Sequence, residues 1–490
     1  MKKIKQLLKD NKLYIFILIT LIFFGMFSKL EFATDTYCVF ATPTNQYCQH
    51  FLYSGRFISA ICLAMVRLLN FGSIAIYTVS YILAIMCTIA SLYILNNVIK
   101  KDIKNETISM LISILIVINA FSIELYLFLE KGILMLSVLF NILAFYSFTK
   151  YLEGRKKQII LTFIYMLIAN FSYQGTVGLF VGLVVVYIIK HSEKIWTFIK
   201  NNLIAGCCYG IPALVNYLIV KFVFNNTRVS TKIDIMESIS LILKYTREMI
   251  QYTFNILPKY FFIIILAIVA VICLITILTK KLGNKKKVIL ILQGMYIVVA
   301  VYIATVFPQI MQGTSSIGFA PRNTYVFASI IGILLLFIFI IKENNTKIME
   351  YSILIITIIF LSVQYLSFTN IERNRYILNY MDYYNVLQIK DVVEKYEKET
   401  GNIITKVSVY KQNGNQGSYP ELWISGDINI KASCPDWCRL DYLRYYLDKR
   451  LEETENDEEV YEEYFKGKDW TIFDLDQIII IGNTIHICLY

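Results

Sequence analysis

The side chains able to do chemistry are few, and they gather at one level of the chain. Ahead of residue 371, seven carboxylates fall on segments that the charge pattern described below puts on the outer side: Glu31, Asp35, Glu124, Glu130, Asp234, Glu237 and Glu248. Glu31 and Asp35 follow the first apolar run, and Arg56 opens a short apolar segment. Glu124, Glu130 and Lys131 share the stretch FSIELYLFLEKG. Tyr173 and Gln174 lie in FSYQG, a tight turn between two apolar runs, and Arg322 follows Pro321 at the entrance of another. Carboxylates accept protons, and guanidinium and ammonium groups neutralise anions. Each residue alone also has a plain reading. Arg56 and Lys131 suit snorkelling to headgroups, Glu124 and Glu130 suit solvated caps, Asp35 suits a turn, and Tyr173 and Gln174 suit helix packing. Their convergence beside segments that otherwise avoid charge points to a site.

No soluble-enzyme motif accompanies them. The chain has no GxGxxG after a strand, no P-loop, no HExxH and no GxSxG on a turn. The inner loops are too short for a nucleotide-binding domain, so a substrate must come from lipid or from outside. Cys38 and Cys48 share the first outer loop, and Cys434 and Cys438 share the tail, where disulfides are possible. No His lies near the C-x₃-C pair, so no metal and no cofactor is expected.

The elements that must position these residues are apolar. Hydrophobic residues make up 57% and charged residues 17%, against about 25% charged in soluble domains. Runs of about 18 or more uncharged residues read as transmembrane helices. Soluble, collagenous and disordered classes are excluded. The charge is divided: residues 1–370 carry 33 Lys+Arg against 14 Asp+Glu, and residues 371–490 carry 14 against 22. The basic excess lies in short loops, which is a membrane-topology signal and no nucleic-acid signal.

Eleven spans are expected, near 13–28, 73–98, 107–122, 132–149, 158–172, 175–190, 203–224, 260–279, 288–306, 324–341 and 350–368. This arrangement puts 22 Lys+Arg on inner segments and 8 on the outer stretches 29–56, 123–131, 225–258 and 307–323, with the N-terminus cytoplasmic. Phe57–Asn70 is too short to cross, and it reads as an interfacial or re-entrant helix. The expected fold is an all-α polytopic membrane protein, domain 1–370, with a small C-terminal α/β extracytoplasmic domain, 371–490. Within the tail a helix is expected over Val386–Tyr396 with Gly401 as its stop. A strand is expected over Ile403–Tyr410, helices over Asp441–Leu451 and Glu459–Phe465, and a hairpin about Gly482-Asn483.

An acid just past the first span, an amphipathic helix in loop 1, many spans and an outer C-terminal domain resemble the GT-C class of membrane glycosyltransferases. More narrowly, four elements resemble the Gtr-type bacterial glucosyltransferase family, type II. They are D-x-Y (Asp35, Tyr37), S-G-R-F (Ser54–Phe57), E-x₅-E (Glu124, Glu130) and S-Y-Q (Ser172–Gln174). The resemblance covers roughly residues 10–370. It implies a polyprenyl-phosphate-linked sugar, usually glucose, transferred on the outer face to a cell-surface glycan or lipid-linked acceptor. It implies Asp35 as the base, with Glu31 as the rival because the family's adjacent pair of acids is Asp35-Thr36 here. Arg56, Arg322 and Lys131 would then bind the donor phosphate, and Tyr37, Glu124, Glu130, Tyr173 and Gln174 the substrate. Physically, an oxocarbenium-like transfer to a hydroxyl needs one base. A phosphate leaving group needs cations at headgroup depth. The alternatives are a lipid-linked saccharide flippase or transporter, a polysaccharide polymerase, and a membrane scaffold for the tail.

Overall fold

The computed structural model describes residues 11–224, 235–310, 320–341, 347–411, 422, 424, 427–468 and 473–489. Asp234, one of the outer carboxylates, lies outside them. Among the described residues, nine helices are long and apolar enough to cross a membrane, and three shorter apolar helices accompany them. The protein is therefore a polytopic α-helical membrane protein with a small four-stranded sheet. Eleven spans were expected. Two of those positions hold helices of only 12 and 15 residues, Glu106–Val117 and Gln158–Ser172. The expected interfacial segment is the third short helix, Phe57–Leu68.

The first shortening has a local cause. The helix Glu106–Val117 stops at a buried bend, and the chain restarts as Ser122–Leu127, which carries Glu124. Buried backbone outside a helix must find partners. Here the Ile116 carbonyl accepts from the Ser329 hydroxyl at 2.8 Å, and the Val117 carbonyl accepts from the Tyr325 hydroxyl at 2.7 Å. The Ile118 carbonyl accepts from the Gln364 amide at 2.9 Å. The Asn119 side chain accepts from the Phe121 N–H and donates to Ser329 Oγ, each at 2.9 Å.

The chain divides into two compact units. The first comprises Met1–Ser28, Cys48–Tyr126 and Glu130–Phe368. Its helices approach closely through small residues. A Cβ on Gly178 would lie 2.6 Å from the Ala304 carbonyl oxygen, and one on Gly332 would lie 2.6 Å from Ile116 Cγ1. Three elements meet at the Ser137 hydroxyl, which donates to the Ala169 and Tyr173 carbonyls at 2.9 and 3.0 Å and lies 2.7 Å from the Thr176 hydroxyl. That contact fixes the FSYQG turn on the helix Lys131–Leu152.

The second unit comprises Lys29–Tyr47, Leu127–Leu129 and Thr369–Tyr490. Its strands β1 (Lys406–Tyr410), β2 (Glu452–Glu453), β3 (Ile478–Ile481) and β4 (Thr484–Cys488) are ordered β2-β1-β4-β3. The expected hairpin is β3–β4, antiparallel with Ile481 opposite Thr484. Gly482 stands at φ +62° in the tight turn. The expected helix Val386–Tyr396 is part of a single 54-residue helix, Lys347–Thr400, which runs through the composition change at Asn370. The polar residues there are compatible with a helix, and that stretch holds no Gly or Pro. The helix ends at Gly401, φ +74°, as expected. The first tail helix, Arg439–Leu447, ends earlier than expected, at Asp448 in the left-handed region, and the second, Glu458–Val460, continues as a π-helical turn, Tyr461–Phe465, across the expected range.

The Gly178–Ala304 approach leaves no room for a methyl group. Gly178→Ala should destabilise the protein by about 1–3 kcal/mol through overpacking, read as a lowered midpoint of thermal unfolding in detergent. An unchanged midpoint would mean that these helices are not in backbone contact.

Candidate functional site

The site in the first unit is built on a helix end. The last turn of Thr44–Tyr53 closes with the Gly55 N–H donating to the Leu52 carbonyl at 3.0 Å and the Arg56 N–H donating to the Phe51 carbonyl at 2.9 Å. This is the glycine-terminated helix stop. Gly55 sits at φ +70°, where a side chain is strained. It is also crowded, since a Cβ there would lie 2.2 Å from Asn216 Oδ1 and 2.8 Å from Gln174 Nε2. Both amides grip the turn. Gln174 Nε2 donates to the Gly55 carbonyl at 2.9 Å and the Ser54 carbonyl at 3.3 Å. Asn216 Nδ2 donates to the same Gly55 carbonyl at 2.9 Å and to the Asn170 carbonyl at 3.2 Å.

Arg56 leaves this turn and caps the helix Phe57–Leu68. Its Nη1 pairs with Glu130 Oε1 at 2.6 Å, and its guanidinium lies over the Tyr173 ring, 5.0 Å from the centroid. The Tyr173 hydroxyl donates to Asn323 Oδ1. Burial pushes this phenol up to about 12, so it stays a neutral donor. Gly175 brings the turn against the next element: a Cβ there would lie 2.9 Å from the Arg322 carbonyl oxygen. Arg322 is held twice by Glu124, through its backbone N–H at 2.5 Å and its Nη1 at 2.8 Å.

Six of the expected residues therefore meet: Arg56, Glu124, Glu130, Tyr173, Gln174 and Arg322. Their roles differ from one another. The Glu124 side chain is 0% exposed and that of Arg322 is 16% exposed, so this pair is the buried one. The Arg56 side chain is 24% exposed, and its pair with Glu130 is more open. Arg56 is thus the cation best able to turn toward an anionic ligand, because exchanging a partly solvated carboxylate costs less than breaking a buried pair. The Gln174 amide nitrogen is occupied by backbone. Lys131 is fully buried, with its ammonium 3.7 Å from the centroid of the Tyr77 ring. Its aromatic contacts, Tyr77 and Tyr81, lie on the helix Ser73–Ile99.

The other three expected residues belong to the second unit. Asp35, in the helix Thr34–Ala41, is partly exposed. Tyr37 is buried, packed against Tyr442, Tyr445 and Tyr446, with its hydroxyl 3.2 Å from that of Tyr446. Glu31 is buried beside two further buried charges, Glu372 and Arg375. Arg375 Nη2 donates to the Glu31 carbonyl at 2.7 Å and the Leu127 carbonyl at 3.1 Å. Burial, and then the Glu372 carboxylate, push the Glu31 carboxyl up to about 8, and Arg375 opposes the shift. The shift favours the protonated form of this carboxyl at neutral pH.

All ten cysteines are free thiols. No group of three or more His, Cys, Asp or Glu with metal-binding geometry occurs among the described residues. The sequence reading missed Asn216, Asn323, Glu372 and Arg375. Asn216 carried a signal: it is a polar side chain inside the apolar helix Ile195–Phe222.

Fold and site define a class, a polytopic α-helical membrane protein whose paired charges ring a clamped arginine turn. Beyond the class, no protein-family model and no curated protein matches the chain. The glucosyltransferase resemblance rests on the motif residues alone.

Stability should depend on pH through Glu31. Its carboxyl releases the proton near 4.5 when unfolded and near 8 when folded. The native state therefore binds more protons across that window, and stability falls as pH rises through it. Unfolding midpoints should drop between about pH 5 and about pH 8, and Glu31→Gln should flatten that slope. An identical slope in both proteins would contradict the assignment.

Proposed function

We propose that the protein is a membrane glycosyltransferase that moves a sugar, glucose by resemblance, from a polyprenyl-phosphate donor to a cell-surface glycan or lipid-linked acceptor on the outer face. The observation that carries this reading is Arg56, a partly exposed guanidinium on a rigid turn of a polytopic membrane protein, facing Glu130 and Tyr173. A lipid phosphate presents its anion at headgroup depth, and the two edges of a guanidinium match two phosphate oxygens.

In the proposed step the acceptor hydroxyl oxygen attacks the anomeric carbon. The bond from that carbon to the phosphate oxygen breaks, and the pair of electrons leaves with polyprenyl phosphate. By the resemblance, Asp35 takes the hydroxyl proton, with Glu31 as the rival. Arg56 stabilises the charge growing on the departing phosphate. Glu130 is the group freed when Arg56 turns to the donor, and it is then open to a sugar hydroxyl. Glu124 holds Arg322 in place rather than contacting the sugar, which supports a positioning role for both. The outer orientation of the tail and the cytoplasmic N-terminus rest on the 22 to 8 division of Lys+Arg between inner and outer segments.

The test is transfer of labelled glucose from polyprenyl-phosphate glucose in sealed membrane vesicles of both orientations. Transfer should occur only when donor and acceptor face the side bearing the tail. Asp35→Asn should reduce it by about 10²-fold or more, with protein level unchanged. Movement of intact labelled donor across the bilayer without transfer would establish a flippase instead. Full activity of Asp35→Asn would remove Asp35 as the base.

A further inference from the structure

The two amides that meet at Gly55 have a consequence for the ligand site. We infer that Asn216 and Gln174 form a clamp that positions Arg56 for an anionic lipid headgroup, and that neither contacts the sugar. This inference rests on the reading of Arg56 as the phosphate-binding residue.

The argument starts from the acceptor. The Gly55 carbonyl has two lone pairs, and both are used by side-chain amides from separate elements. Gln174 comes from the turn before the helix Gly178–His191, and Asn216 from the C-terminal part of the helix Ile195–Phe222. Asn216 is 5% exposed in a region of apolar side chains. An amide placed there is costly unless it makes its hydrogen bonds, and its nitrogen donates to two backbone carbonyls. The clamped residue immediately precedes Arg56, so a shift of the Gly55 carbonyl moves the Arg56 Cα with it. The tolerance is small, since a guanidinium that must meet two oxygens loses its paired geometry on a displacement of about 1 Å.

The clamp also explains why S-G-R and S-Y-Q occur together. Only glycine fits under the two amides, at φ +70° and with no space for a Cβ. The Gln174 amide reaches both the Ser54 and Gly55 carbonyls while the preceding tyrosine stacks on the arginine being positioned. The two short motifs are the two halves of one contact, and Asn216 is its third member.

The test compares binding of a short-chain polyprenyl phosphate with binding of the same polyprenyl alcohol to the purified full-length protein. The alcohol reports the lipid-tail contribution alone. Arg56→Lys, Asn216→Leu and Gln174→Leu should each weaken the phosphate by roughly tenfold, the loss of about one charge-assisted hydrogen bond, and leave the alcohol unchanged. The double variant Arg56→Lys with Asn216→Leu should be no weaker than Arg56→Lys alone, because Asn216 acts through Arg56. Multiplied losses would show that Asn216 acts independently and would overturn the clamp. Wild-type phosphate binding by Asn216→Leu or Gln174→Leu, with Arg56→Lys weakened, would overturn the clamp and leave the phosphate reading intact. Wild-type binding by Arg56→Lys would overturn both. If Asn216→Leu fails to fold, Gln174→Leu and its double with Arg56→Lys carry the same comparison.

Discussion

The carbonyl of Gly55 accepts two amide protons, from Gln174 and from Asn216, and the rest of the site is arranged around that junction. A left-handed residue ends one helix, and the next residue begins another. Between two helices such a turn would ordinarily be free to rock. Here two other elements hold it, so Arg56 emerges at a fixed place against Glu130 and the Tyr173 ring. The second arginine, Arg322, meets the FSYQG turn at Gly175, and buried Glu124 holds it. One pair is open and exchangeable, and the other is closed and structural. That difference follows from burial alone.

The bend between Val117 and Ser122 serves the same arrangement. A continuous helix through these residues, as the hydropathy suggests, would not give Glu124 its own short element. Breaking the ladder inside an apolar body leaves carbonyls that need donors. Tyr325, Ser329 and Gln364 supply them, and Asn119 supplies its own turn. Tyr325, Ser329 and Gln364, polar residues of apolar helices, are donors for irregular backbone.

Much of the membrane body was legible in the sequence, because length and hydropathy determine spans with little help from packing. The β3–β4 hairpin and the Gly401 stop were legible because a left-handed glycine leaves a local signature. The tight motifs S-G-R and S-Y-Q marked the site, but their mutual contact joins residues more than 110 positions apart and has no local signal. The continuation of the last helix through Asn370 was hidden for another reason. A change from apolar to polar composition signals a change of surroundings, not of secondary structure. Glu31 shows the limit most clearly: its buried partners Glu372 and Arg375 lie more than 340 residues later, so the upward shift of its carboxyl has no local signal.

The central claim is that Arg56, fixed by this junction, is the receptor for a lipid phosphate. The most direct measurement is a cryo-electron-microscopy structure of the full-length protein in nanodiscs with a short-chain polyprenyl phosphate bound. The account predicts the phosphate within hydrogen-bonding reach of the Arg56 guanidinium, with the Gly55 carbonyl still held by Gln174 and Asn216. A phosphate bound elsewhere, with Arg56 still paired to Glu130, would contradict it.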